Sequence, residues 1–273
     1  MLKTLKGKIN QATRLLLVNS LTPINDSILI VEYPKSGGTW LGQLISNYFE
    51  IPFPRNKMPS LKRSVFHSHY LPKYNILKNK KIVYLVRDGR DVLVSLYYHQ
   101  LVWSNKNKLN PKDVLYHRKQ LNFDDYDDVK KNMSDFIDYT YEEKPSKLQQ
   151  FTYMGNWYTY NKAWLNEFNE NQDSIYLIKY EDLLKDTEGA MTKMLKAFFN
   201  EDVDHEKLQT VVEKFSFENQ ANRKKGEENK NSFLRKGISG DWKNYFSENE
   251  IKLFKEYTDN LLVELGYEDN VNW

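Results

Sequence analysis

Three runs of the chain are apolar without alternation: Ile28–Glu32 (ILIVE), Lys81–Val86 (KIVYLV) and Ser174–Tyr180 (SIYLIKY). A strand covered on one face alternates apolar and polar residues, whereas one covered on both faces does not. These runs therefore predict buried strands of a parallel sheet. Each is followed by a polar turn and then by sequence of helical period. After the first come Leu41, Leu44, Ile45, Tyr48 and Phe49; after the second come Val92, Val94, Leu96 and Tyr97. Strand, turn and helix in that rhythm predict an α/β fold whose ligand lies at the carboxyl ends of the strands.

Two stretches break the rhythm. Residues 104–150 are rich in Asn, Lys and Asp, with short helix-like pieces such as MSDFIDYTY, and read as a helical excursion with mobile loops. Asn219–Ser232 (NQANRKKGEENKNS) has almost nothing to bury and reads as a flexible loop. With no internal repeat or linker, a single domain over residues 1–273 is expected.

Composition narrows the classes. Charged residues at 28% and hydrophobic ones at 40% suit a soluble globular protein. A net charge of +3 gives no argument for nucleic acid, which is not expected as a partner. The absence of cysteine excludes disulfides, cysteine-ligated metal clusters and a cysteine nucleophile. No apolar stretch approaches the length that spans a bilayer, so no transmembrane segment is expected. The run LLLV at 15–18 is too short for a signal-peptide core, and a cytoplasmic location is the plain expectation.

Candidate chemistry clusters in three places. VEYPKSGGTW (31–40) looks like a phosphate-cradling loop, but a Walker A loop carries its lysine after its glycines. Here Lys35 precedes Gly37 and Gly38. The glycines admit close backbone N–H groups, the following helix start adds partial positive charge, and Lys35 adds a full one. Ser36 and Thr39 can donate further hydrogen bonds, and Trp40 offers a flat face to an aromatic base. A plain strand-to-helix turn with Trp40 in the core is the other reading of this loop alone. In RDGRDVLVSLYYH (87–99), Arg87 ends a buried strand and Ser95 lies two turns into the next helix, so the two can clamp a phosphate. A salt bridge from Arg87 to Asp88 or Asp91 stays equally open. FLRKGISGDWKNYF (233–246) sets Arg235 and Lys236 beside Gly237, either a second phosphate site or a solvated basic turn. Together the clusters describe a nucleotide with phosphates at two separated places.

These residues resemble the sulfotransferases that use 3′-phosphoadenosine 5′-phosphosulfate (PAPS), particularly the soluble ones. YPKSGGTW looks like their 5′-phosphosulfate loop Y-P-K-S-G-T-T-W. RDGRDVLVSLYYH looks like their 3′-phosphate motif R-N-x-K-D-V-x-V-S-x-Y-x-F, and RKGISGDWKNYF is similar to R-K-G-x-x-G-D-W-K-N-x-F. Lesser echoes are GNWYTYNKAW (155–164) and KYEDLLKD (179–186), and the likeness spans roughly residues 28–267. It implies a P-loop-NTPase-like three-layer α/β fold, a central parallel sheet flanked by helices. By the same resemblance Lys35, Ser36, Gly37, Gly38 and Thr39 bind the 5′ end of PAPS, and Trp40 stacks on adenine. Arg87 and Ser95 bind the 3′-phosphate with Arg235, Lys236 and Gly237, while Tyr180 and Phe217 contact the base. Phe215 stands where the family's T-S-F stretch has threonine, which removes one expected adenine contact. No metal is expected, because Lys35 can reach the oxygen bridging phosphate and sulfur, where charge builds as that bond breaks.

Sulfuryl transfer to a hydroxyl needs a base. The five histidines are His67, His69, His99, His117 and His205. FHSHYLP (66–72) resembles the family's K-T-H-x-P, which implies His69 as base, with Ser68 in the threonine position and His67 in the lysine position. Pro72 lies one residue farther on than usual, and His67 is a rival. The expected acceptor is a small molecule, an aromatic, an alcohol or an amine. The basic loop at Arg223–Lys225 reads as a solvated flap over the cofactor. In KNYFSENE, Ser247 and Glu248 replace the Thr-Val of a family dimer motif, and a monomer is favoured over a homodimer. The competing functions are a P-loop small-molecule kinase and a non-catalytic PAPS-binding module that also holds the product, adenosine 3′,5′-bisphosphate (PAP).

Overall fold

The protein is seen in a computed structural model. The structure describes residues 13–55 apart from 15 and 19, residue 57, and residues 61–74, 81–102, 111–142 and 154–273. In chain order its elements are β1 (Ile28–Glu32), α1 (Gly38–Phe49), β2 (Val65–Ser68), β3 (Ile82–Val86), α2 (Gly89–Tyr97), α3 (Pro111–Gln120), α4 (Val129–Glu142) and α5 (Trp157–Glu170). There follow β4 (Ile175–Lys179), α6 (Tyr180–Lys185), α7 (Thr187–Phe199), α8 (His205–Lys214), α9 (Phe217–Ala221), α10 (Glu248–Thr258) and α11 (Leu261–Glu264). The described residues gather into two units, one within Met1–Val86, Ser146–Gly155 and Thr159–Phe215, the other within Arg87–Pro145, Asn156–Tyr158 and Ser216–Trp273.

The first unit holds the sheet, four parallel strands in the order β2-β1-β3-β4. Every residue of β1 and β3 is buried, as continuous apolar runs require of central strands. On one face Ile28, Ile30, Val83, Leu85 and Ile178 pack with Leu41, Leu44 and Ile45 of α1, Met191 and Leu195 of α7, and Leu208 of α8. Each such side chain contributes about 1.5–3 kcal/mol by leaving water. On the other face Leu29 and Val31 meet Trp164 of α5, and the Tyr84 hydroxyl donates to Asn161 Oδ1 at 2.9 Å. Helices on both faces make the three layers that the motifs implied.

Two differences from the sequence reading have local causes. Lys81 and Ser174 precede the first ladder residues of β3 and β4, and Tyr180 opens α6 instead of closing a strand. The fourth strand, β2, is only VFHS, too short and too polar to stand out as an apolar run. It pairs with β1 so that His67 lies opposite Ile30, which brings the histidine segment to the sheet.

In the second unit Asp88 caps α2, accepting from the Arg90 backbone N–H at 2.9 Å. Trp157 and Phe254 close over Gly89, where a Cβ would stand 2.7 Å from the Trp157 ring. The excursion at 104–150 contains α3 and α4; residues 104–110 and 143–150 lie outside the described residues. The stretch 219–232, read as a flexible loop, makes ordered contacts instead. Its first residues complete α9, Gly226 N–H donates to Lys236 O and Asn229 N–H to Arg235 O, both at 2.9 Å. The Arg223 guanidinium donates to the carbonyls of Leu234 and Arg235. Main-chain hydrogen bonds do here what apolar burial cannot, and composition does not disclose them. Ser247 and Glu250 form a capping box at the start of α10. Among the described residues no helix is long and apolar enough to cross a membrane.

Candidate active site

In the first unit β1 ends at Glu32 and the chain turns through residues 33–37 into α1. Lys35 has φ 74°, a left-handed conformation that costs a residue with a side chain roughly 1–2 kcal/mol. Gly37, at φ 108°, caps α1, and a Cβ there would lie 2.8 Å from Tyr180 Cδ2. Such strain persists only where the surroundings impose it, and it concentrates at ligand sites. Ser36 is 1% exposed, and its Oγ has no hydrogen-bond partner among the described residues. A buried hydroxyl left so costs about 1–3 kcal/mol, which an incoming anion would recover. With the adjacent helix start and the Lys35 charge, the loop fits a phosphate-like group.

Two of the aromatic residues named for the adenine base meet beside the loop. Trp40 lies edge-on to Tyr180, ring centroids 5.9 Å apart at 70°, and its Nε1–H donates to the Phe215 carbonyl at 2.9 Å. Phe215, the residue in the unexpected threonine position, thus anchors Trp40 by its backbone. Thr39 Oγ1 accepts from the Arg55 guanidinium at 3.5 Å. Gly38 departs from the expected role: its N–H donates to the Glu32 carboxylate.

His69 follows β2. Its Nδ1 lies 2.9 Å from the main-chain oxygen of Glu32. A carbonyl only accepts, so Nδ1 carries the proton and Nε2 keeps its lone pair. Burial pushes the His69 pKa down to about 4, helped by neighbouring His67 and opposed by the Glu32 charge. The imidazole is therefore neutral near pH 7, as a base must be. His67 Nε2 is engaged 2.7 Å from Glu32 Oε1, and the rings of His67 and His69 meet edge to face at 4.4 Å. Despite its burial, the Glu32 carboxyl is held below its ordinary pKa by its hydrogen bond with His67 and, after that, by the Gly38 N–H. Glu32, His67 and His69 have ligand-type atoms within 4.8 Å of one another. His67 and Glu32 hydrogen-bond each other, and His69 Nδ1 is held by the main chain.

In the second unit the phosphate-clamp candidates are braced by carboxylates. Arg87 NH2 lies 3.9 Å from Asp91 Oδ2, so the salt bridge left open by the sequence is present at long range. Asp91 is buried and also accepts from the N–H groups of Gly240 at 2.7 Å and Trp242 at 2.9 Å. Burial raises its pKa and the Arg87 charge opposes that. Ser95 is half-buried on α2. Arg235 NH2 and Lys236 Nζ share the buried Asp241, at 2.5 and 2.6 Å, and Arg235 also pairs with Glu228 and covers the Tyr98 ring. The basic turn is therefore a fixed arrangement of cations, not a solvated one. Gly237, at φ 66°, lies against the Phe217 ring where no Cβ would fit.

Three residues escaped the sequence reading, and a fourth, Asp91, entered it only as a salt-bridge partner of Arg87. Arg90 is structural: it pairs with Asp88 and Glu268 and lies between the rings of Trp242 and Trp273, 4.0 and 4.5 Å from their centroids. Asp91 and Asp241 sit inside the quoted motifs; Asp241 braces Arg235 and Lys236 of its own motif, whereas Asp91 also holds Gly240 and Trp242, far away in the chain. Glu32 did carry a signal, a charge closing an apolar run.

Residues 51–266 match the family model described as the sulfotransferase domain. Sulfotransferase 1E1 of Rattus norvegicus is 26% identical over 85% of this chain and 82% of its own length. The amine sulfotransferase of Oryctolagus cuniculus is 26% identical over 91% of this chain and 87% of its own. The crystal structure of mouse sulfotransferase SULT7A1 complexed with PAP superposes with a TM-score of 0.64 at 20% identity, covering 95% of both chains, and supports the fold. A matching model over most of the chain shows that this protein is an enzyme of the sulfotransferase family.

Proposed function

We propose that the protein moves the sulfuryl group of PAPS to a hydroxyl or amine of a small-molecule acceptor by in-line transfer. His69 serves as general base and Lys35 stabilises the leaving phosphate. The observation that carries this reading is the His69 tautomer, with Nδ1–H on the Glu32 carbonyl and a neutral Nε2 left to accept a proton.

Bound PAPS supplies a sulfuryl group joined to phosphate through an oxygen that becomes anionic on transfer. Lys35 holds a full positive charge for that oxygen, and Ser36 Oγ and the N–H groups at the start of α1 add donors. Ser36 also restrains Lys35 until the acceptor arrives. Trp40, Tyr180 and Phe217 take the adenine. Arg87 and Ser95, with Arg235, Lys236 and Gly237, take the 3′-phosphate and so separate PAPS from ATP. His69 Nε2 removes the acceptor proton as the new oxygen–sulfur or nitrogen–sulfur bond forms. The charge supplied by Lys35 leaves no role that requires a metal. The same reading makes the chain one catalytic domain, monomeric and cytoplasmic.

The test is incubation of the full chain with PAPS labelled in its sulfuryl group and a panel of phenols, alcohols and amines, in buffer with EDTA. Labelled product should form with at least one member, and His69→Ala should lose it while still binding PAP. An enzyme inactive across the panel, or a His69→Ala variant with unchanged turnover, rejects the reading.

A further inference from the structure

Two departures from the quoted family motifs meet at one carboxylate. The loop has Gly38 where Y-P-K-S-G-T-T-W has threonine, and the base segment has His67 where K-T-H-x-P has lysine. One oxygen of Glu32 accepts from Gly38 N–H, and the other lies 2.7 Å from His67 Nε2. The Glu32 main-chain oxygen accepts from His69 Nδ1–H. Glu32 is 3% exposed, so its charge is held by these partners and not by water.

Each departure has a steric or geometric reason. A Cβ at residue 38 would stand 2.5 Å from the Glu32 carboxyl carbon, so a side chain there would push the carboxylate off the Gly38 N–H and His67. At residue 67 a lysine would keep a donor for Glu32 but lose the flat ring that lies edge-on to His69. The carboxylate thereby orients His67, and the His67 ring walls the base. The same carboxylate takes an N–H at the first turn of α1 that the loop would otherwise offer to an anion, and sets a negative charge there.

We propose that Glu32 is a positioning residue for sulfuryl transfer, orienting His69 through His67 while its charge moderates anion binding at the Lys35–Thr39 loop. The inference rests on the reading of His69 as base and of the loop as the 5′ site. It makes a prediction that a merely structural role does not: catalysis and cofactor affinity move in opposite directions when the charge is removed. Glutamine keeps the size of glutamate but can accept from only one of its two donors, and it carries no charge.

The experiment compares wild type with Glu32→Gln, using PAP as binding probe in calorimetry and the fastest panel acceptor for kcat. Expected are a kcat lower by about tenfold or more and a PAP affinity tighter by about two- to fivefold; an unchanged affinity overturns the part of the inference that concerns the loop. A kcat equal to wild type overturns the inference, and so does a parallel loss of kcat and affinity that tracks a fall in Tm. Should Glu32→Gln not fold, Glu32→Thr, Gly38→Thr and their combination take its place. Gly38→Thr should be damaging alone and tolerated beside Glu32→Thr, with PAP bound and kcat still low; additive effects overturn the inference. An inactive wild type defeats the functional reading instead, so the two failures are told apart.

Discussion

Nδ1 of His69 and the main-chain oxygen of Glu32 lie 2.9 Å apart, and this one hydrogen bond decides which nitrogen of the histidine is basic. Because the acceptor is backbone at the end of a central strand, no rotation of the Glu32 side chain can undo it. Burial then keeps the ring neutral.

The first consequence concerns pH. A base whose pKa is held at about 4 works unprotonated well below neutrality. The acid limb of kcat/KM should therefore fall near pH 4 and not near 6.5, with activity level from pH 7 to 5. Stability follows the opposite titration. In the unfolded chain His69 takes up its proton around pH 6.5, before the folded chain does. Its contribution is thus complete above about 6.5 and is lost as pH falls from there toward 4. Urea midpoints at pH 7 and 4.5 should drop less for His69→Gln than for wild type, and an equal drop contradicts the assignment.

Lys35 combines charge with an unfavourable backbone conformation. Lys35→Gly should relieve the strain and raise stability by up to about 1 kcal/mol, net of the greater unfolded-state freedom of glycine. It should also lower kcat by about a hundredfold or more, through loss of the charge that meets the leaving oxygen. Thermal unfolding and turnover measured on the same sample check both signs. A variant that is more stable and fully active shows that Lys35 plays no part in the chemistry.

Arg87 is oriented by Asp91, whose other bonds go to the backbone of Gly240 and Trp242. Its removal should weaken PAP binding about ten- to a hundredfold, the range for one charge-assisted contact. ADP, which lacks the 3′-phosphate, should be indifferent to Arg87→Ala. Calorimetric titration of both nucleotides tests this, and equal losses for PAP and ADP remove Arg87 from the 3′-phosphate role.

Much of this was legible in the linear chain because it depends on neighbours in sequence. ILIVE and KIVYLV are continuous apolar runs, and they became strands buried on both faces. Gly37 and Gly38 after the apolar run announced a turn into a helix, while the left-handed φ of 108° at Gly37 and 74° at Lys35 came only with the structure. The four-residue β2 was not legible, because VFHS becomes a strand only by pairing with β1.

What the sequence by itself determined is therefore the α/β class, the anion loop and the candidate base, each written in residues close together along the chain. The tertiary structure alone decided the protonation pattern and the charge partners. Glu32 reads as the polar end of a strand until folding brings Gly38, His67 and His69 around it. Asp91 reads as a helix residue beside Arg87 until Gly240 and Trp242 close on it. Desolvation and hydrogen-bond geometry depend on distances through space, and no pattern along the chain encodes those before the chain has folded.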